Sequence, residues 1–138
     1  MCHACLQKVE RITYASASFQ SAPSPVHGSF LAFRSARRDG LYAGIIGQRT
    51  DDGSLVSGDV AEQCEAMMNN LKTLLEELRL SLSDLLRTTI YLTDYEDFEA
   101  INAVYASYLC EPFPVRTTVQ VAALPLGAKV QIDTVIAL

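Results

Sequence analysis

Two apolar rhythms alternate along the chain. Val60, Cys64, Met67, Met68, Leu71, Leu74, Leu75 and Leu78 recur at spacings of three and four. That spacing lays one apolar stripe along a helix that runs to about Arg79. Asp59, with Glu62 three residues on, forms a capping-box-like start, and the methionines read as core filler. A second helix is predicted where Phe98, Ile101, Tyr105, Tyr108 and Leu109 share a face. Asp94 can help to cap it, and Pro112 and Pro114 forbid its continuation.

The other rhythm has period two. "SFLAFRSA" and "LYAGIIGQ" flank the turn signal "RRDG" and predict a β-hairpin, followed by a second polar turn, "RTDDGSLV". "SLSDLL" is a short link, and "RTTIYLTD", β-branched and aromatic, is a strand. Two last strands, about 115–123 and 128–137, are predicted to pair around "LPLG". The order is hairpin, helix, strand, helix, hairpin. It predicts an α+β fold in which both helices cover one face of a single mixed sheet, with parallel pairing across a helical crossover. Residues 18–138 read as one domain. Residues 1–17 read as an N-terminal extension or short strand ("ERITYA"), joined by the irregular stretch "SFQSAPSPVHG". In "VRTTVQVAA" alternation places Arg116, Thr118, Gln120 and Ala122 together, opposite Val115, Thr117, Val119 and Val121. The Arg116 side is small, polar and mildly apolar, and subunits are expected to associate through it.

Composition narrows the function classes. Of 138 residues, 49% are hydrophobic and 20% charged, ordinary usage for one globular core. The net charge of −5 argues against a counterion-releasing grip on nucleic acid. The only basic knot is Arg34, Arg37 and Arg38, read as a solvated hairpin tip. No apolar run is long enough to span a membrane, and the first residues lack the apolar core of a secretory signal, so a soluble, cytoplasmic protein is expected. "MCHAC" places Cys2, His3 and Cys5 at metal-like spacing, but no second pair completes a ligand set, and no metal or cofactor is expected.

The candidate chemistry lies in "PVRTTVQVAALPLGAKVQID". If the last two strands pair so that facing positions sum to 249, Arg116 lies opposite Asp133, with Thr118 and Gln131 the next pair inward. Two readings of this polar cluster stay open. One is a cross-strand ion pair worth about 0.2–1 kcal/mol. The other is a reaction site in which the arginine fork grips a substrate carboxylate and the aspartate handles protons or a water.

The same stretch resembles the C-terminal signature of the RidA/YjgF family of reactive-intermediate (enamine/imine) deaminases: Pro-x-Arg-[Ser/Thr]-[Cys/Thr]-Val-x-Val, then Leu-Pro-x-Gly-Ala-x-Val-Glu-Ile-Glu. "AEQCEAMMNNLKTLLEEL" is similar to the family's first helix. "RTTIYLTDYEDFEAINAVYASYL" is similar to its strand and second helix, including Asp97-Phe98 and the Asn-x-x-Tyr of Asn102 and Tyr105. The resemblance covers about residues 28–138. It implies a chorismate-mutase-like fold, a homotrimer with sites between subunits, and cofactor-free hydrolysis of intermediates such as 2-aminoacrylate to a 2-oxo acid and ammonia. By resemblance, Arg116 binds the substrate carboxylate, Thr118 matches the Cys or Thr two residues on, and Asp133 falls where a glutamate assists water attack. The chain departs from the pattern at Asp133, one methylene shorter than glutamate, and at Ile46, which replaces a serine. Phe30 stands in for a tyrosine of the first strand, and Glu96 for an asparagine before the second helix. Phe30, Ile46 and Glu96 are therefore read as substrate-site positions. A non-catalytic trimeric binder of small carboxylates is the alternative. RNA cleavage ranks third, since the chain is acidic and His3 and His27 read as exposed loop residues.

Overall fold

The computed structural model describes residues 32–36, 38–56 and 58–138. The N-terminal segment, with Cys2, His3, Cys5, His27 and Phe30, lies outside them. The elements are β1 (Ala32–Ala36), β2 (Asp39–Ile46), α1 (Val60–Glu77), β3 (Leu85–Leu92), α2 (Phe98–Tyr108), β4 (Val115–Gln120) and β5 (Val130–Ala137). They build a mixed α+β sheet in the order β1-β2-β5-β3-β4. β3 and β4 run parallel, as the helical crossover between them requires, and the remaining pairs are antiparallel.

Asp59 caps α1 by accepting the Ala61 N–H at 3.0 Å. The helix ends where Arg79 adopts φ 60° and the Leu80 N–H returns to the Leu75 carbonyl. A 3-10 turn at Leu82–Asp84, boxed by Ser81 and Asp84, delivers the chain to β3. The first hairpin is tighter than "RRDG" predicts. Ala36 pairs with Asp39, so the connection is residues 37 and 38, and the Asp-Gly pair belongs to β2.

Burial alternates along β5: Val130, Ile132, Thr134 and Ile136 are buried, while Gln131, Asp133, Val135 and Ala137 are half-buried. The buried set meets Cys64, Met67, Met68, Leu71 and Leu75 of α1 and Ile101 and Tyr105 of α2, so both helices cover the same face, as expected. Each side chain fully withdrawn here contributes about 1.5–3 kcal/mol of burial free energy. The opposite face is open in the single chain, with Leu41, Val115 and Val119 exposed on it.

Two acids are buried in this core. Desolvation pushes the Cys64 thiol and the Tyr42 hydroxyl each up to about 12. Both folded-state values lie above the unfolded ones, so their contribution is complete below pH 9 and is lost as pH rises toward 12. Denaturation midpoints measured from pH 8 to 11 are therefore expected to fall progressively above pH 9; a midpoint constant to pH 11 would contradict this.

The C-terminal hairpin does not form. Among the described strands β4 pairs only with β3, and β5 lies between β2 and β3. "LPLG" is instead a 3-10 turn at Pro125–Gly127, with Leu126 at φ 58° and Gly127 at φ 72°. It belongs to a longer passage that carries the chain past β3 to the strand's other side. The register placing Arg116 opposite Asp133 is overturned, and with it the ion-pair reading.

Candidate active site

Register now fixes which side chains share a face. Arg116 aligns with Thr88 of β3, and Thr88 with Thr134 of β5. Thr88 and Thr134 are buried beneath the helices, so Arg116 and Thr118 belong to the helix-covered face. Asp133 aligns with Thr89, and Thr89 with Thr117, which places Asp133 on the open face. Within one chain, Arg116 and Asp133 project from opposite sides of the sheet. The expected assignment of faces on β4 is likewise reversed: Val115, Thr117 and Val119 look onto the open side.

β4 is an edge strand, so Arg116 lies at the rim where α2 meets the sheet. Its Nη1 donates to Asn102 Oδ1 at 2.8 Å. Its guanidinium carbon lies 5.0 Å from the Tyr105 ring centroid and 5.7 Å from that of Phe98. Phe98 in turn stacks on Tyr95, centroids 5.2 Å apart and planes within 4°. Residues 98, 102 and 105 fall on successive helical turns, so a single face of α2 presents Phe98, Asn102 and Tyr105. Beneath them the Tyr105 hydroxyl lies 2.8 Å from Thr88 Oγ1 in the core. Among the described residues no carboxylate pairs with Arg116; the ion pairs there join Arg49 to Asp51 and Asp52. Among the described residues the groups that hold the arginine are neutral, and none accepts a hydrogen bond from Nη2 or Nε.

Asp133 occupies a different setting. Its Oδ1 accepts the Gly44 N–H at 2.7 Å. Gly44 has φ 79° and lies where the β2–β5 register shifts between Tyr42 and Ile45. The carboxylate thus braces a β-bulge that glycine tolerates without a Cβ penalty. Tyr91 is beside it on the open face, and burial together with the hydrogen-bonded Asp133 carboxylate raises the Tyr91 hydroxyl above its ordinary value.

The other expected site residues are dispersed. Thr118 is half-buried, two residues from Arg116 on the same face. Glu96 is exposed in the 3-10 turn Tyr95–Asp97 that leads into α2, its N–H bonded to Asp94 Oδ1. Ile46 is buried at the end of β2, yet it aligns with Gln131 of β5 and so stands on the open face with Asp133, outside the core beneath the helices. Its carbonyl accepts from Asn70 Nδ2 at 3.0 Å. The expected cluster of Arg116, Thr118, Gln131 and Asp133 is therefore two groups, one on each face. Sequence reasoning passed over Phe98 as a site residue and Tyr91 altogether. The signal for Phe98 was its spacing from Asn102 and Tyr105. For Tyr91 it was the alternation in "RTTIYLTD", which carries Thr89 and Tyr91 on one side. Among the described residues no cluster of His, Cys, Asp and Glu could hold a metal, and no helix is long and apolar enough to cross a membrane.

Comparison with known proteins bears on the whole of this arrangement. Residues 23–138 match the model of the family described as Endoribonuclease L-PSP. Protein DfrA of Myxococcus xanthus is 48% identical over 81 residues, covering 59% of this chain and 62% of that protein. The chloroplastic Reactive Intermediate Deaminase A of Arabidopsis thaliana is 38% identical over 95 residues, covering 69% of this chain and 51% of that one. The matched region thus spans less than two thirds of either relative. Among solved structures, RidA from the Antarctic bacterium Psychrobacter sp. PAMC 21119 superposes with a TM-score of 0.75 at 30% identity, covering 93% of this chain and all of that one. By sequence and by fold, the chain belongs to the RidA/YjgF family.

Proposed function

We propose that this protein hydrolyses small enamine and imine acids of the 2-aminoacrylate type to 2-oxo acids and ammonia, in sites between the subunits of a homotrimer. The observation that carries this reading is Arg116, a cation at an exposed rim that has no carboxylate partner among the described residues and is oriented by neutral groups. A guanidinium so placed is complementary to a planar carboxylate, which it binds through two parallel N–H···O bonds. The name of the Arabidopsis relative supports the reaction class.

The chemistry asks little of the protein. Protonation of the enamine methylene carbon gives the imine, whose C2 is electrophilic. Water adds there and loses one proton to a base, giving a carbinolamine; the nitrogen is protonated, and as the hydroxyl gives up its proton the C=O bond forms, the C–N bond breaks and ammonia departs. The site must hold the carboxylate, place the water and move protons. Arg116 fills the first role. Thr118, close to it on the same face, is the hydroxyl that can order a water there. Asp133 is the acid–base candidate, yet it faces away from Arg116 in its own chain. A site using both must draw them from two copies, and exposed Leu41, Val115 and Val119 give the open face apolar surface to bury against a neighbour.

The test is to generate 2-aminoacrylate in situ and follow pyruvate release. Acceleration by the protein, with ammonia formed in equal amount, is the expected result; an unchanged rate would overturn the deaminase reading for this substrate. Light scattering should give a trimeric mass, and a monomeric mass would remove the shared site. A second reading, a carboxylate binder without turnover, is favoured by one observation: Asp133 Oδ1 is already committed to the Gly44 N–H. Under that reading a 2-oxo acid binds, but no acceleration is seen.

A further inference from the structure

Arg116 extends from an edge strand, where a long side chain with four rotatable bonds has little reason to hold one orientation. An unrestrained arginine gives up rotamer freedom when it binds a ligand, on the order of 2 kcal/mol of side-chain entropy. Here the ordering is done beforehand, by α2. Asn102 Oδ1 takes one Nη1 hydrogen at 2.8 Å and so fixes the plane and the turn of the fork. The ring of Tyr105 supports the guanidinium carbon at 5.0 Å, and Phe98 flanks it at 5.7 Å. Tyr105 is itself buried and tied by its hydroxyl to Thr88, the residue aligned with Arg116 on the neighbouring strand. Phe98 is backed by Tyr95 in a parallel stack, and Tyr95 is tied to β4 through its N–H to Gln120 Oε1 at 3.0 Å. The clamp is thus anchored to β3 through Thr88 and to β4 through Gln120.

The partners' neutrality also matters. A carboxylate in place of Asn102 would orient the guanidinium equally well but neutralise it, and the incoming anion would have to displace it. An amide oxygen orients without competing for the charge. We infer that Asn102 and Tyr105 are positioning residues, which preorganise Arg116 for a carboxylate-bearing ligand while leaving its charge uncompensated. This rests on the proposed role of Arg116 in carboxylate binding.

The experiment is a double-mutant cycle on the full-length protein with in situ 2-aminoacrylate. Asn102→Ala alone is expected to raise KM and lower kcat/KM by about tenfold, the worth of one oriented hydrogen bond to a charged group, with a smaller change in kcat. Asn102→Asp is expected to lose as much or more, although it restores the hydrogen bond. In an Arg116→Ala background, Asn102→Ala should add less than about a twofold change, because the residue it positions is gone. Tyr105→Phe keeps the ring and loses the Thr88 bond, so it should fall between wild type and Asn102→Ala. A merely structural role for Asn102 would give the same loss with and without Arg116, and would let Asn102→Asp rescue; either result overturns the inference. Full activity of Asn102→Ala, with Arg116→Ala impaired, would also overturn it. If Arg116→Ala itself equals wild type, it is the proposed carboxylate site that fails, a distinguishable outcome.

Discussion

Replacing Arg116 by alanine is expected to lower kcat/KM for a small imino acid by roughly 30- to 1,000-fold, the range given by losing one or two charge-assisted hydrogen bonds. The size follows from the arginine's surroundings. Its neighbours among the described residues are an amide oxygen and two aromatic faces, and none of these can take over its charge. Lysine should recover little, because a point charge cannot reproduce the fork or share the Tyr105 and Phe98 faces in the same way. Stability should barely change, since Arg116 is exposed and forms no ion pair among the described residues. Steady-state kinetics beside a denaturation curve would check both halves. Retained activity, or a large loss of stability, would contradict the account.

The largest expected effect on folding comes from a residue without a side chain. At Gly47 an added Cβ would lie 2.5 Å from the Gln63 carbonyl oxygen and 3.0 Å from its Cα. Both atoms are backbone in the first turn of α1, so relief requires moving the helix rather than a side chain. That helix cannot move freely: the Gln63 side chain accepts the Lys129 N–H at 2.9 Å, and the Gly47 carbonyl accepts the Val56 N–H at 2.9 Å. Gly47→Ala should therefore destabilise by about 1–3 kcal/mol or more, the usual cost of overpacking a filled site. Gly58 is the control. It has φ 66° and open space where a Cβ would go, so Gly58→Ala should cost only about 1 kcal/mol, from backbone conformation. Urea midpoints for the two variants test the contrast, and equal midpoints would contradict it.

Much of this fold was legible because its signals are local. The stripe from Val60 to Leu78 and the cap at Asp59 specify α1 almost residue by residue. The prolines at 112 and 114 mark where the chain must leave α2. Strand pairing is a different kind of information. Alternation in "VRTTVQVAA" and "AKVQIDTVIAL" states which residues share a face, but not which strand lies alongside. Proximity around "LPLG" favoured a hairpin. The determinant was burial: "VQIDTVIA" buries Val130, Ile132, Thr134 and Ile136 at every second position and takes a central place, whereas β4, with Arg116, Thr117, Thr118 and Gln120, remains at the edge. One misplaced neighbour moved Arg116 to the opposite face and separated it from Asp133.

The site was legible to the same depth. Arg116 lies at a rim and pairs with no carboxylate among the described residues, and its role toward a ligand is the one the resemblance implies. Its supports were hidden because they are tertiary: Thr88 under Tyr105, and Tyr95 behind Phe98. Asp133 was read as the arginine's partner, and its hydrogen bond to Gly44 could not be foreseen without the bulge in β2.

The most direct measurement is a crystal structure of the assembled protein with a bound 2-oxo acid such as 2-oxobutanoate. The account predicts the carboxylate paired to Arg116 on the side of the fork away from Asn102, in a cleft closed by a second copy that contributes its open sheet face and Asp133. A ligand bound elsewhere, or one whose carboxylate leaves Arg116 unengaged, would contradict it.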